Sequence, residues 1–182
     1  SYQNHPAQLG TINRPFLFEP RFWSCAVRNG SMWAVHHVNG SRARVRWYEF
    51  DLRNWPFSGL DPVLKQWGEL DYGGGVHTYF PSIAVDEENN ATIFFSRSAT
   101  NEFISIGRAF RRHDDAPNTF RPMEFVKQST VPYTGAGRWG DYSGTKPEPN
   151  EPGVFWGHHE WTDVSNAWRT WLARVDTRPG TF

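Results

Sequence analysis

The run Gly137-Arg138-Trp139-Gly140-Asp141-Tyr142-Ser143-Gly144 sets a cation, an acid, a phenol and two aromatic rings between glycines, whose missing Cβ lets backbones approach closely. Two kinds of chemistry suit these residue types. In one, Arg138, Asp141 and Tyr142, with Glu160 further on, are candidate catalytic groups. In the other the run is an internal brace. Asp141 would then accept from strand-end amides or from Arg138, while Trp139 and Tyr142 fill the space between neighbouring sheets. The brace is the preferred reading, because nothing in the order of residues makes the four side chains converge. Trp139, Trp156 and Trp161 are candidates for stacking against a ligand such as a sugar.

Other polar groups point less clearly to chemistry. The pairs His36-His37 and His158-His159 invite a metal, but neighbours on a strand point to opposite faces, so one pair cannot chelate one ion. Hydrogen-bonded core or interface histidines are expected instead. Asp86, Glu87, Glu88, Asn89 and Asn90 offer oxygens for calcium without EF-hand spacing; a solvated turn is expected, and no cofactor. Asn29-Gly30-Ser31, Asn39-Gly40-Ser41 and Asn90-Ala91-Thr92 fit the N-glycosylation pattern, but all fall on turns that favour asparagine for backbone reasons. Cys25, the only cysteine, excludes an internal disulfide and is expected to be a buried thiol, a bridge to another chain being the sharper alternative. No nucleophile elbow, phosphate loop, dinucleotide fingerprint or Cys-x-x-Cys pair is present.

The elements that would position these residues are strands. Asn29-Gly30 and Asn39-Gly40 separate alternating segments, the pattern of two-residue hairpin turns whose central residues take positive φ. The first unit reads as strands over 22–27, 31–38, 43–52 and 63–70; the second as 82–85, 91–96, 103–110 and 123–128; the third as 141–146, 153–160 and 168–175, with no fourth. Val164 to Leu172 alone could turn briefly as helix. Residues 1–21, with Pro6, Pro15 and Pro20, read as an extended lead-in arm, and Ser1 as a start in mid-protein.

The units recur at a period of roughly 60 residues, each a strand, a polar turn and then aromatic strands. This order predicts an all-β fold of about three four-stranded antiparallel blades of a β-propeller, spanning about 22–72, 79–130 and 138–176. A β-sandwich is the rival. Three blades cannot close a ring, so the remaining blades must come from another chain, another part of a precursor or a second copy. Tryptophan, phenylalanine and tyrosine make up 16% of the chain, so rings supply much of the burial. Lysine plus arginine equals aspartate plus glutamate, at 19 each, which gives no field to attract nucleic acid. No apolar run approaches the roughly 20 residues that span a bilayer.

The Gly137 to Gly144 motif, with Phe155-Trp156, Glu160-Trp161 and Trp168-Arg169-Thr170-Trp171 downstream, resembles the carboxy-terminal blades of bacterial sialidase-like (BNR-type) β-propeller proteins. Gly30-Ser31-Met32-Trp33-Ala34, Val45-Arg46-Trp47-Tyr48 and Tyr79-Phe80-Pro81-Ser82-Ile83-Ala84-Val85-Asp86 resemble the same family. The resemblance implies a six- or seven-bladed propeller, exported to the outside or the cell envelope. It does not imply turnover: the aspartate-box repeat is absent, Ser82 to Thr92 having its aspartate misplaced and no glycine. The expected function is a non-catalytic protein-interaction or structural module. The alternatives are a glycosidase of the sialidase class, using Arg138, Asp141, Tyr142 and Glu160, or a glycan-binding lectin.

Overall fold

The computed structural model describes residues 5–18, 20–135 and 137–178. Parts of the lead-in arm, residues 1–4 and 19, lie outside them. Among the described residues there is no helix, and eleven strands form three antiparallel sheets. Sheet 1 is β1 (Ser24–Arg28), β2 (Ser31–Val38), β3 (Arg44–Asp51) and β4 (Val63–Leu70) in that order. Sheet 2 repeats the order with β5 (His77–Val85), β6 (Ala91–Ala99), β7 (Glu102–Arg111) and β8 (Glu124–Lys127). Sheet 3 has β9 (Gly144–Pro147), β10 (Val154–Val164) and β11 (Ala167–Asp176).

Local chemistry explains most of the turns. Asn29 (φ 51°) and Gly30 (φ 75°) both take the left-handed conformation that a two-residue hairpin demands. Asn39 and Gly40 do not, contrary to expectation. The five residues between β2 and β3 give room to reverse without that geometry, and the Asn39 Oδ1 accepts from the Gly40 amide at 2.9 Å. The segment from Val164 to Leu172 is not helical; it is the end of β10, a tight turn and the start of β11. The turn at 86–90 is not simply solvated. Asp86 is buried and accepts from the amides of Glu88 at 3.0 Å, Asn90 at 2.8 Å and Gly153 at 2.6 Å. Its oxygens are thereby committed to the backbone rather than to a cation, and the buried Asn90 amide donates to it as well, so that asparagine is closed to glycosylation.

Neighbouring sheets pack through rings. Trp33, Val35, Val45 and Trp47 of sheet 1 meet Ile83, Val85, Ile93 and Phe95 of sheet 2 in one core. Phe94 lies so close over Gly157 of sheet 3 that a Cβ there would sit 2.5 Å from its ring. The same kinds of lateral contact occur at both junctions. The Ile83 amide donates to Ser24 Oγ at 3.2 Å, and Ser82 Oγ lies 2.6 Å from Thr145 Oγ1. Asn29 reaches the 86–90 turn of sheet 2, and Asp86 reaches Gly153 of sheet 3. β5 is consequently buried along its whole length.

Cys25 is exposed rather than buried. On β1, Ser24 and Ala26 turn toward sheet 2, so Cys25 and Val27 turn to the side on which no sheet of the described residues is packed.

The second core gathers at one end of the inner strands around Phe80. Phe80 is fully buried with φ 50°, an unfavourable conformation for a bulky residue and more so before a proline. A register shift between Tyr79 and Ser82 makes room for it. Its ring sits within 5.5 Å, centroid to centroid, of Trp23, His37 and Tyr79. His159 Nε2 donates to its carbonyl at 2.8 Å and His37 Nδ1 lies 3.4 Å from its amide. Burial is the main cause holding the pKa of both imidazoles at about 4, below the ordinary 6.5. Both are therefore neutral in the fold, while the unfolded chain takes up protons from about pH 6.5 downward. Stability should be complete above pH 7 and fall between pH 6.5 and 4, by up to about 3 kcal/mol for each imidazole. Urea unfolding midpoints measured across that range would check it, and His159→Gln should flatten the dependence.

Candidate functional site

The loop from Gly137 to Ser143 connects sheet 2 to sheet 3 and covers the Phe80 core. Trp139 anchors it. Its ring is buried against Tyr133 at 4.9 Å, and its Nε1 donates to Ser96 Oγ at 3.0 Å. Gly140 follows with φ 88°, and its α-carbon lies flat on the Phe80 ring, so that any Cβ would overlap the ring. Here a glycine is required on both counts.

Glu160, on β10, closes the loop from the opposite side. It is buried and its two carboxylate oxygens accept from the Gly140 amide at 2.9 Å and the Tyr142 amide at 3.2 Å. Burial pushes its pKa up, and the two amides offset part of that rise. Arg138 and Asp141 pair with each other at 2.5 Å on the exposed side of the loop, and the Arg138 guanidinium lies 5.5 Å from the Phe18 ring centroid. That pair raises the Arg138 pKa. The Tyr142 ring is exposed and packs on Trp168 at 4.8 Å.

The four candidate catalytic residues are thus brought to one loop, but in a bracing arrangement. Glu160 holds the Tyr142 amide, not its hydroxyl, and it is Glu160 rather than Asp141 that serves the strand-end amides. Among the candidates for ligand stacking, Trp139 is buried. Trp161 packs edge-on to Trp171 at 6.0 Å, with the Lys127 ammonium 4.3 Å from its ring. Trp156 remains open and donates to Glu148 at 2.8 Å. The histidine pairs split across their strands as the alternation requires: His37 and His159 are buried, whereas His158 is exposed and His36 contacts the Pro20 carbonyl at 3.0 Å. Among the described residues, no group of three His, Cys, Asp or Glu is placed to hold a metal.

An open cleft of about 360 Å³ lies beside the loop, lined by Asn13, Arg14, Thr134, Gly135 and Gly137. None of the candidate residues faces it. Sequence reasoning overlooked Phe80, Ser96 and Tyr133, which hold the loop from below. The Phe80-Pro81 step inside a strand was the available signal, since proline there marks an edge or a bulge. The chain matches no protein-family model and no curated protein.

Replacing Glu160 by alanine should cost about 1–3 kcal/mol, because two covered amides lose their acceptor. Asp141→Ala, which breaks only a surface pair, should cost under about 1 kcal/mol. Thermal unfolding of the two variants side by side would decide which acid is the brace. Gly140→Ala should be at least as damaging as the Glu160 change.

Proposed function

We propose that this chain is a segment of a sialidase-like β-propeller and acts as a non-catalytic interaction or structural module within an extracellular or cell-envelope assembly. The observation that carries this reading is the inequality of the sheet faces. The middle sheet is covered on both sides, whereas, among the described residues, sheets 1 and 3 each have one face on which no other sheet packs and large apolar side chains are exposed. Val27 is 62% exposed and Trp67 47% on the first; Leu172 is 63% exposed and Trp168 41% on the last. Exposed apolar side chains gathered on one face mark an interaction surface. The repeat of the lateral contacts supports the same view: each bare face is the counterpart of one that is covered at an internal junction.

The arrangement of the candidate loop supports the non-catalytic reading. A glycosidase of the sialidase class needs a tyrosine nucleophile with a glutamate partner, an aspartate acid and arginines free to grip a carboxylate. Here Glu160 is committed to backbone amides and Arg138 to Asp141. The partners in this reading are further sheets of the same architecture, and the location outside the cell rests on the resemblance alone.

The native mass of the purified chain should exceed 21.1 kDa, or partner polypeptide should co-purify with it. The Cys25 thiol reports the bare face of sheet 1 directly: it should react rapidly with a thiol reagent in the free chain and slowly in the assembly. A soluble monomer that keeps Cys25 reactive at high concentration and binds nothing would overturn the reading. So would hydrolysis of a fluorogenic sialoside that Tyr142→Phe abolishes.

A further inference from the structure

We infer that the free edge of β11 is a strand-acceptor site, filled by an extended apolar segment from outside residues 1–182 that adds to sheet 3 as its fourth strand. The inference rests on that edge alone and holds whether or not the sheets belong to a propeller. Sheets 1 and 2 each have a fourth strand, β4 on β3 and β8 on β7, at the place where β11 has nothing beside it among the described residues.

The three outer edges are also treated differently. Soluble proteins cover, shorten or charge their edge strands, because unpaired amides and carbonyls are a template for another chain. The β4 edge is covered: Asn118 accepts from the Trp67 amide at 3.1 Å, and its own amide donates to Gln66 at 2.9 Å. The β8 edge is only four residues long. β11 has neither device. It runs ten residues without proline or glycine, and its register against β10 is unbroken from Val154↔Asp176 to Trp161↔Arg169. Its two arginines, which would otherwise repel a partner from the edge, are neutralised by Asp163 and Glu151 of its own unit.

The side chains along β11 say what the incoming strand must carry. Trp168 and Leu172 are exposed on the bare face of sheet 3, and Trp171 is exposed on the face toward sheet 2. A complementary strand therefore needs apolar residues on both faces and no proline. A second copy of this chain fits less well. The described strands of a copy are already paired within its own sheets, so it could only join one of those sheets edge to edge with sheet 3. That would give a sheet of six or seven strands, unlike either of the other two.

The probe is a synthetic peptide copying Val63–Leu70, the strand that fills the corresponding place in sheet 1, with a control in which alternate backbone amides are N-methylated. Added to the full chain, the unmodified peptide should slow hydrogen exchange of amides in 167–176 at least tenfold and shift the tryptophan emission to the blue. The N-methylated control, which keeps the side chains but lacks the ladder donors, should do neither. Leu172→Lys, a charge placed on an exposed edge, should weaken binding at least tenfold while leaving the unfolding midpoint unchanged.

No protection with either peptide at millimolar concentration would overturn the inference. Equal binding of the N-methylated peptide would overturn it too, by showing a side-chain groove. Amides of 167–176 that are already protected in a dimer of the chain would assign the edge to a second copy instead.

Discussion

The backbone of Phe80 is the point on which the three sheets and the arm converge. A phenylalanine with φ 50° is held in place only if its surroundings allow no alternative, since the left-handed conformation costs on the order of 1–2 kcal/mol for such a residue. The surroundings do so from every side. Sheet 1 supplies His37 and sheet 3 supplies His159, one at each polar end of the residue. Trp23, which leads into sheet 1, packs on one edge of the ring, and Gly140 of the connecting loop lies against it. The strain of one residue in the middle unit is therefore offset by contacts from the units on both sides. The sheets cannot shift relative to one another without releasing it.

Away from that end, the junctions depend on shape. Phe94 lies on Gly157 between sheets, and within sheets Trp47 and Phe95 lie on Gly68 and Gly107. A ring over a glycine lets two strands or two sheets approach closely while burying a large apolar area. Between sheets, this device works only when a sheet has a neighbour. The rings on the bare faces of sheets 1 and 3 have the same character and no such neighbour, and so the two ends of the array differ from its middle although the strands are built alike.

Much of this was legible in the sequence, and its failures have particular causes. The strands and their order were readable because alternation and the turn between 28 and 31 are local signals. Both ends of β2 and both ends of β4 fall where the alternation places them. The Asn39-Gly40 turn misled because the dipeptide shows that a tight turn is allowed, not that the flanking strands are close enough to need one. Cys25 misled because cysteine is usually buried in a complete fold, whereas its strand faces an unoccupied side. The brace around Gly140 was recognised as a brace, and Asp141 does accept from Arg138 as one of its two expected roles, but the acid that holds the amides was missed. Asp141 is adjacent to the amides in sequence, while Glu160 lies on a strand that reaches them only through the packing of sheet 3. Phe80 was passed over for the same reason: its role depends on two histidines distant in sequence from it.

His159 connects the two parts of the site through its tautomer. A backbone amide can only donate, so the 2.8 Å contact from the Glu160 amide requires a lone pair on His159 Nδ1. The proton is then on Nε2, where it is donated to the Phe80 carbonyl. A single neutral ring thereby fixes the strained residue below and the strand position of Glu160 above, and Glu160 in turn holds the amides of Gly140 and Tyr142. A second proton on the ring would remove the acceptor for Glu160 without adding a bond to Phe80. The clamp and the loop must therefore loosen together, which ties the loop to the stability of the core and leaves its acid little freedom for proton transfer to a ligand.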